Sequence, residues 1–374
     1  MLSGRKIKIS EALKGSRKKF ALLAATAVAA PLLLLILFFY GGLNLSKISS
    51  AFNFVFRENP ETSRESRTDR SDLRLISRQD FIKKYNPKPA YLPQALEIHS
   101  SLSGYVKSNS TSTLLPVRNW SVPFVDIKAE SALAIDLPGA RILYGKNVFE
   151  PRPIASLTKL MTALVAAEHM NLSDVATVSQ NAVRTEGSSA SLLVGEELTI
   201  EQLLYAALLE SSNDAAVAIQ EFYDGSREAG TPSFVDLMNQ KAGALTLKDT
   251  SFVEPSGLSA ENKTTAFGVA SILWAAFQNE NVARILGTSN YTTEPLNKEF
   301  THYWVNLNTL IGAYGEIIAG KTGYTEEAGP SMTVLSATPN ANKFVAIVVL
   351  NAYDRIEEST NLLNWVKQAY IWEE

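Results

Sequence analysis

The 374-residue chain contains no cysteine. Disulfide scaffolds, cysteine nucleophiles, thiolate zinc sites and iron–sulfur clusters are therefore excluded. Histidine is scarce, with only His99, His169 and His302, and no His-x-x-x-His pair occurs. A histidine-rich metal site is not expected from so few ligands. Positive charge is short over most of the chain: residues 118–374 carry 17 Lys/Arg against 30 Asp/Glu, a net −13. Nucleic acid is excluded as a partner, because binding a phosphate backbone needs a basic face. The overall content, 46% hydrophobic and 20% charged, is that of a folded protein and excludes wholesale disorder.

The missing positive charge is at the front, where residues 1–117 hold 18 Lys/Arg against 8 Asp/Glu. Arg5, Lys6, Lys8, Lys14, Arg17, Lys18 and Lys19 precede an uncharged apolar run at residues 20–40. At about 1.5 Å per helical residue, that run just crosses a hydrocarbon core of roughly 30 Å. Ala27-Val28-Ala29 would suit a cleavable signal peptide. Strongly apolar residues continue past it from Leu32 to Phe39, which favours an uncleaved anchor. The basic flank places the N-terminus in the cytoplasm and the remainder outside the cell membrane. Residues 57–80 mix six acids with six bases, and residues 86–116 are rich in Pro, Ser, Thr and Asn. Such stretches bury too little surface to offset chain entropy. The expected division is a cytoplasmic tail at 1–19, a membrane span at 20–40, an extracytoplasmic flexible tether at 41–117 and a globular domain at 118–374.

Within that domain, residues 132–136 and 141–144 read as strands around Leu137-Pro138-Gly139, a hairpin signal. Residues 157–169, 200–209 and 211–222 read as helices. Residues 332–337 and 344–350 read as strands joined by Pro339-Asn340-Ala341-Asn342, and residues 357–371 as a last helix. Strands at both ends and helices between them predict an α+β domain: one antiparallel sheet built from both chain ends, with an inserted helical lobe.

Three short motifs bear chemistry. Ser156 and Lys159 stand one helical turn apart, and a lysine amine whose pKa is lowered by burial can deprotonate a serine. The same spacing recurs at Ser3/Lys6 and Ser16/Lys19, so spacing alone decides nothing. Leu157, Leu160, Met161, Leu164 and Val165, however, put Ser156 and Lys159 near a core, where an idle lysine is costly. Ser211-Ser212-Asn213 lies between two apolar helices. It offers a second hydroxyl for proton transfer and an amide for a lysine and a substrate carbonyl, or else merely a helix cap. Lys321-Thr322-Gly323 suits a strand edge, where glycine lets a substrate backbone approach, or else a solvated turn. On a regular strand Lys321 and Thr322 point to opposite faces, so a common target requires a twist or bulge.

Together and in this order, Ser-x-x-Lys, Ser-x-Asn and Lys-Thr-Gly resemble the signature set of penicillin-recognising serine enzymes. The words around them, Pro153-Ile154-Ala155-Ser156-Leu157-Thr158-Lys159, Ser211-Ser212-Asn213-Asp214, Pro255-Ser256-Gly257-Leu258 and Lys321-Thr322-Gly323-Tyr324, resemble the low-molecular-mass D-alanyl-D-alanine carboxypeptidases over about residues 128–371. The resemblance implies a β-lactamase/transpeptidase-like fold: a five-stranded antiparallel sheet flanked by helices. It implies Ser156 as nucleophile, Lys159 as base, Ser211 as proton relay, and Asn213, Lys321, Thr322, Gly323, Tyr324 and Arg355 as substrate-binding. The backbone N–H groups of Ser156 and Tyr324 would form the oxyanion hole. It also implies peptidoglycan stem peptides as substrates, β-lactams as inhibitors and no cofactor. Many such enzymes carry a further β-rich domain and a C-terminal anchor. Here the stretch after Lys321 is expected to finish only the sheet and its last helix, which brings endopeptidase action on crosslinks into view. A class A β-lactamase fits poorly, since Thr293-Glu294-Pro295-Leu296-Asn297 has threonine where the deacylating glutamate is needed. A non-hydrolytic sensor of β-lactams or wall fragments would need an intracellular partner.

Overall fold

The structure, a computed structural model, describes residues 115–137, 139–338 and 343–372. The expected span, the expected tether up to residue 114 and the turn at 339–342 lie outside the described residues. Among the described residues no helix is long and apolar enough to cross a membrane.

The most apolar segments of the domain form its centre. β1 (Ser131–Leu137) is buried along its whole length. β2 (Arg141–Lys146), β3 (Ile317–Gly323), β4 (Ser331–Ala337) and β5 (Phe344–Leu350) complete a five-stranded sheet ordered β3-β4-β5-β1-β2. Every neighbouring pair is antiparallel. β1 comes early in the domain and β5 late, yet they pair directly, with Leu133 opposite Val348 and Ala134 opposite Ile347. The sheet is thus assembled from both ends of the domain, as the order of elements predicts. Side chains alternate across it. Leu133, Ile135, Val348 and Leu350 enter one core, while Ala132, Ala134, Ile347 and Val349 enter a second. With both faces covered, the strands read as continuous apolar runs instead of alternating ones.

The first core is closed by the inserted lobe: α1 (Lys159–His169), α2 (Ile200–Leu209), α3 (Asn213–Ser226), α4 (Phe234–Ala244), α5 (Ala266–Phe277) and α6 (Glu280–Leu286). α5 is apolar on all sides and is buried from Ala266 to Ala276, as a helix at the middle of a core must be. α7 (Arg355–Ala369) covers the opposite face of the sheet.

Several element limits differ from the sequence reading, three of them for a clear local reason. The helix expected from residue 157 begins at Lys159, because Ala155–Thr158 forms a tighter 3₁₀ turn. The helix expected from residue 211 begins at Asn213, with the Ser212 side chain accepting the Ala215 N–H as its cap. The last helix stops at Ala369, and Tyr370–Ile371 pairs as a short strand with Val117–Arg118. Arg118 is buried there against the rings of Trp365, at 5.0 Å, and Tyr370, at 5.6 Å.

Truncating Ile347, which has no exposed surface, to alanine is expected to lower stability by about 2–5 kcal/mol in urea denaturation. Partly exposed Ile356→Ala is expected to change it by less than about 1 kcal/mol.

Candidate active site

All three motifs meet where the lobe abuts edge strand β3. Ser156 lies in the 3₁₀ turn that enters α1, and Lys159 opens that helix. One turn of separation brings Lys159 Nζ to 2.9 Å from Ser156 Oγ. The amine also donates to Asn213 Oδ1 at 2.6 Å and to the Ser256 carbonyl oxygen at 2.6 Å. Lys159 has no exposed surface. Burial lowers its pKa from the ordinary lysine value to about 7, against the opposing pull of the Glu254 and Asp214 carboxylates. An ammonium has three hydrogens for these three acceptors. A neutral amine has two hydrogens and one lone pair. With Asn213 Oδ1 and the Ser256 carbonyl taking the hydrogens, the lone pair faces Ser156 Oγ, and that is the geometry of a general base on its nucleophile.

The turn that carries Ser156 is held tightly. Ala155 has φ +46°, a conformation unfavourable for any residue with a Cβ. Two glycines from distant segments press on it. A Cβ at Gly257, itself at φ +88°, would stand 2.0 Å from the Ala155 carbonyl oxygen. A Cβ at Gly323 would stand 3.0 Å from the Ile154 carbonyl oxygen and 3.2 Å from the Ser156 nitrogen. Glycine at 323 thus lets the end of β3 close on the turn that carries Ser156, and Tyr324 follows it directly with an exposed side chain.

Ser211 and Ser212 divide the two readings of their motif. Ser212 caps α3, whereas Ser211 turns away at φ +59° and its Oγ accepts Lys321 Nζ at 2.8 Å. A strained φ on a non-glycine residue is tolerated where a side chain must be placed. Asn213 is gripped from the other side: Nδ2 donates to the Glu186 carbonyl oxygen at 2.7 Å and its backbone N–H to Ser188 at 2.7 Å. Lys321 also donates to the Thr322 carbonyl oxygen at 3.1 Å. It is only 1% exposed, and burial plus the charges of Lys159 and Arg355 hold its pKa well below the ordinary value.

Lys321, Thr322 and Gly323 pair regularly with Thr333, Met332 and Ser331, so the strand is not bulged at the motif. The irregularity lies upstream, between Ile317 and Ala319. Both Lys321 and Thr322 are nonetheless buried, because cover exists on both faces. Arg355, the first residue of α7, donates from Nη1 to the Gly323 carbonyl oxygen at 2.9 Å. Ser156, Lys159, Asn213, Ser211 and Lys321 are thus brought together, Gly323 and Arg355 border them, and Thr322 and Tyr324 flank Gly323 along the chain. Sequence reasoning gave no role to the Ser256 carbonyl, Glu254 or the Glu186 carbonyl. Backbone acceptors leave no signature in residue type. Pro255-Ser256-Gly257-Leu258 stood out as a motif, but only folding shows what its carbonyl meets. Among the described residues no group of three or more His, Asp or Glu side chains is placed to share a metal ion.

A serine beside a desolvated lysine, with a second serine–lysine pair across the cleft, defines a serine acyl-transfer site. Comparison with known proteins agrees. A family model described as D-alanyl-D-alanine carboxypeptidase matches residues 117–354. The D-alanyl-D-alanine carboxypeptidase DacF of Bacillus subtilis is 34% identical over 252 residues, covering 65% of this chain and 63% of that protein. The D-alanyl-D-alanine endopeptidase of Pseudomonas aeruginosa is 32% identical over 252 residues, covering 66% and 79%. The crystal structure of a Streptomyces DD-transpeptidase matches with a TM-score of 0.60 at 28% identity, covering 65% of this chain and 98% of that one. The chain belongs to the D-alanyl-D-alanine carboxypeptidase family of serine peptidases and has the fold of these penicillin-binding enzymes. It spans just under two thirds of the length of DacF.

Gly257→Ala would displace the Ala155 carbonyl and with it Ser156. It is expected to slow covalent labelling by a fluorescent penicillin by about tenfold to a hundredfold, the scale of loss for an ångström of misplacement. Gly195→Ala, at φ +78° with nothing within 4 Å of the added Cβ, is expected to leave labelling unchanged in the same gel assay.

Proposed function

We propose that this protein is a serine-type D,D-carboxypeptidase that removes the terminal D-Ala of peptidoglycan stem peptides. The observation that carries the reading is Lys159, whose burial brings its pKa down to about 7 and whose amine is held by two acceptors so that the lone pair of its neutral form faces Ser156. Ser156 Oγ attacks the carbonyl of the penultimate D-Ala while its proton passes to Lys159. The backbone N–H groups of Ser156 and Tyr324 receive the developing oxyanion. Ser211 donates its hydrogen to the leaving amine and is resupplied from the lysines. The net transfer is Ser156's proton to the departing D-Ala. Water then attacks the acyl-enzyme by the same route in reverse, restoring Ser156. Lys321, whose pKa is held well below the ordinary value by burial and the nearby cations, is favoured as an ammonium once the substrate carboxylate arrives, with Thr322 and the arginine of α7 completing the carboxylate's partners. Asn213 Nδ2 orients the substrate amide. A β-lactam acylates Ser156 by the same attack and, being cyclic, leaves nothing to diffuse away.

Endopeptidase action on crosslinks is the second reading. It is favoured by coverage, since the match takes in 79% of the Pseudomonas aeruginosa endopeptidase but 63% of DacF. The anchored arrangement is also proposed: the basic tail and uncharged run at residues 20–40 hold the domain outside the cell membrane, within reach of an immobile polymer.

Wild-type protein is expected to bind fluorescent penicillin covalently and release D-Ala from a D-Ala-D-Ala peptide, with Ser156→Ala doing neither. Release from a crosslinked dimer with none from the monomer would favour the endopeptidase. Acylation should rise with pH through about 7, because Lys159 must lose its proton to act and does so there. A profile already flat from pH 5 would contradict that assignment. On cell fractionation the full chain should sediment with membranes and a chain starting at residue 115 should not.

A further inference from the structure

The turn whose Ser256 carbonyl accepts Lys159 Nζ is organised by a single carboxylate. Glu254 immediately precedes Pro255-Ser256-Gly257, and its carboxylate gathers the turn around itself. Oε2 accepts the Ser256 N–H at 2.6 Å and the Ser256 hydroxyl at 2.5 Å. Oε1 accepts the Gly257 N–H at 2.7 Å and Asn262 Nδ2 at 2.7 Å. The Ser259 N–H reaches Oε1 at 3.3 Å. These donors wrap the chain through Gly257 at φ +88° and leave the Ser256 carbonyl pointing out of the turn, onto Lys159 Nζ. The same Asn262 ties the turn to the nucleophile side: its carbonyl accepts the Ile154 N–H at 3.2 Å, and Nδ2 reaches Thr158 Oγ1 at 3.3 Å. A carboxylate with this many donors is a rigid hub, because charge-assisted hydrogen bonds are the strong ones.

We propose that Glu254 is a positioning residue for the reaction: it builds the turn that aims the Ser256 carbonyl at Lys159 and so directs the amine lone pair onto Ser156. The inference rests on the Ser156–Lys159 reading given above. Glu254 has an electrostatic consequence as well, since its negative charge stabilises the Lys159 ammonium. The other charged groups facing Lys159 are Asp214 on α3, which acts in the same direction, and Lys321 on β3, with Arg355 on α7 behind it. Glu254 thus fixes where the base points and keeps its titration close to neutrality, where a general base is most effective.

The test is the pH dependence of acylation by fluorescent penicillin in the full chain, comparing wild type with Glu254→Gln and Glu254→Asp, each checked for folding by circular dichroism. Glu254→Gln keeps the shape but loses the charge and half the acceptors. Its acylation rate at the optimum should fall about tenfold to a hundredfold. Its rising limb should move to lower pH, because removing a nearby anion makes the ammonium give up its proton more readily. Glu254→Asp should lie between the two on both measures. If Glu254→Gln does not fold, Glu254→Asp against wild type carries the test with the same sign. A folded variant with a slower rate and an unmoved limb would make Glu254 merely structural and overturn the proposal. Failure of both variants to fold would do the same. Absence of wild-type acylation would instead overturn the underlying serine–lysine reading, so the two failures are distinguishable.

Discussion

A lysine amine taken wholly out of water is the constraint on which this structure turns. Burying a charge without compensation is prohibitive, and proteins usually answer by neutralising the group or pairing it. Lys159 does the first in part, shifting to about 7, and finds three oxygen acceptors without touching a carboxylate directly. A salt bridge would have held the ammonium and removed its use as a base. Neutral acceptors, with Glu254 and Asp214 acting at a distance, keep both protonation states accessible. Lys321 extends the same logic across the cleft, since two ammonium groups so close and so buried disfavour each other.

Holding those acceptors requires parts of the chain that are far apart in sequence. Asn213 comes from the start of α3, Ser256 from a loop before α5, and Ser156 from a turn against β3. The sheet and the lobe provide the rigid frame, and the strain is local. Ala155, next to Ser156, and Ser211 both sit at positive φ, and glycines at 257 and 323 admit the close approach. The helical lobe therefore matters to the chemistry because α1, α2 and α3 share one core, which leaves little play between Ser156 and Ser211.

Much of this was legible in residue order. The strand at residues 344–350 and the helix at residues 200–209 have the limits their apolar patterns predict, since regular burial is what such patterns encode. Lys159 was legible too, through the apolar residues on either side of it. What the sequence hid was local geometry. Residues 155–158 and 211–212 look like ordinary first turns of helices, and only tertiary packing forces them into a 3₁₀ turn and a left-handed residue. The Ser256 and Glu186 carbonyls were invisible because every residue has one. The strand motif was expected to need a twist or bulge at Lys321 and Thr322; the pairing there is regular, and the irregularity of that strand lies upstream, between Ile317 and Ala319.

The central claim is that Lys159 titrates near neutral pH and, once unprotonated, has its lone pair on Ser156. Carbon-13 labelling of the lysine side chains, followed by NMR titration, reads it directly. The account predicts one lysine Cε signal with a midpoint near 7, missing in Lys159→Arg and perturbed when Ser156 is acylated. A Lys159 signal that titrates only with the exposed lysines, above about 10, would contradict it.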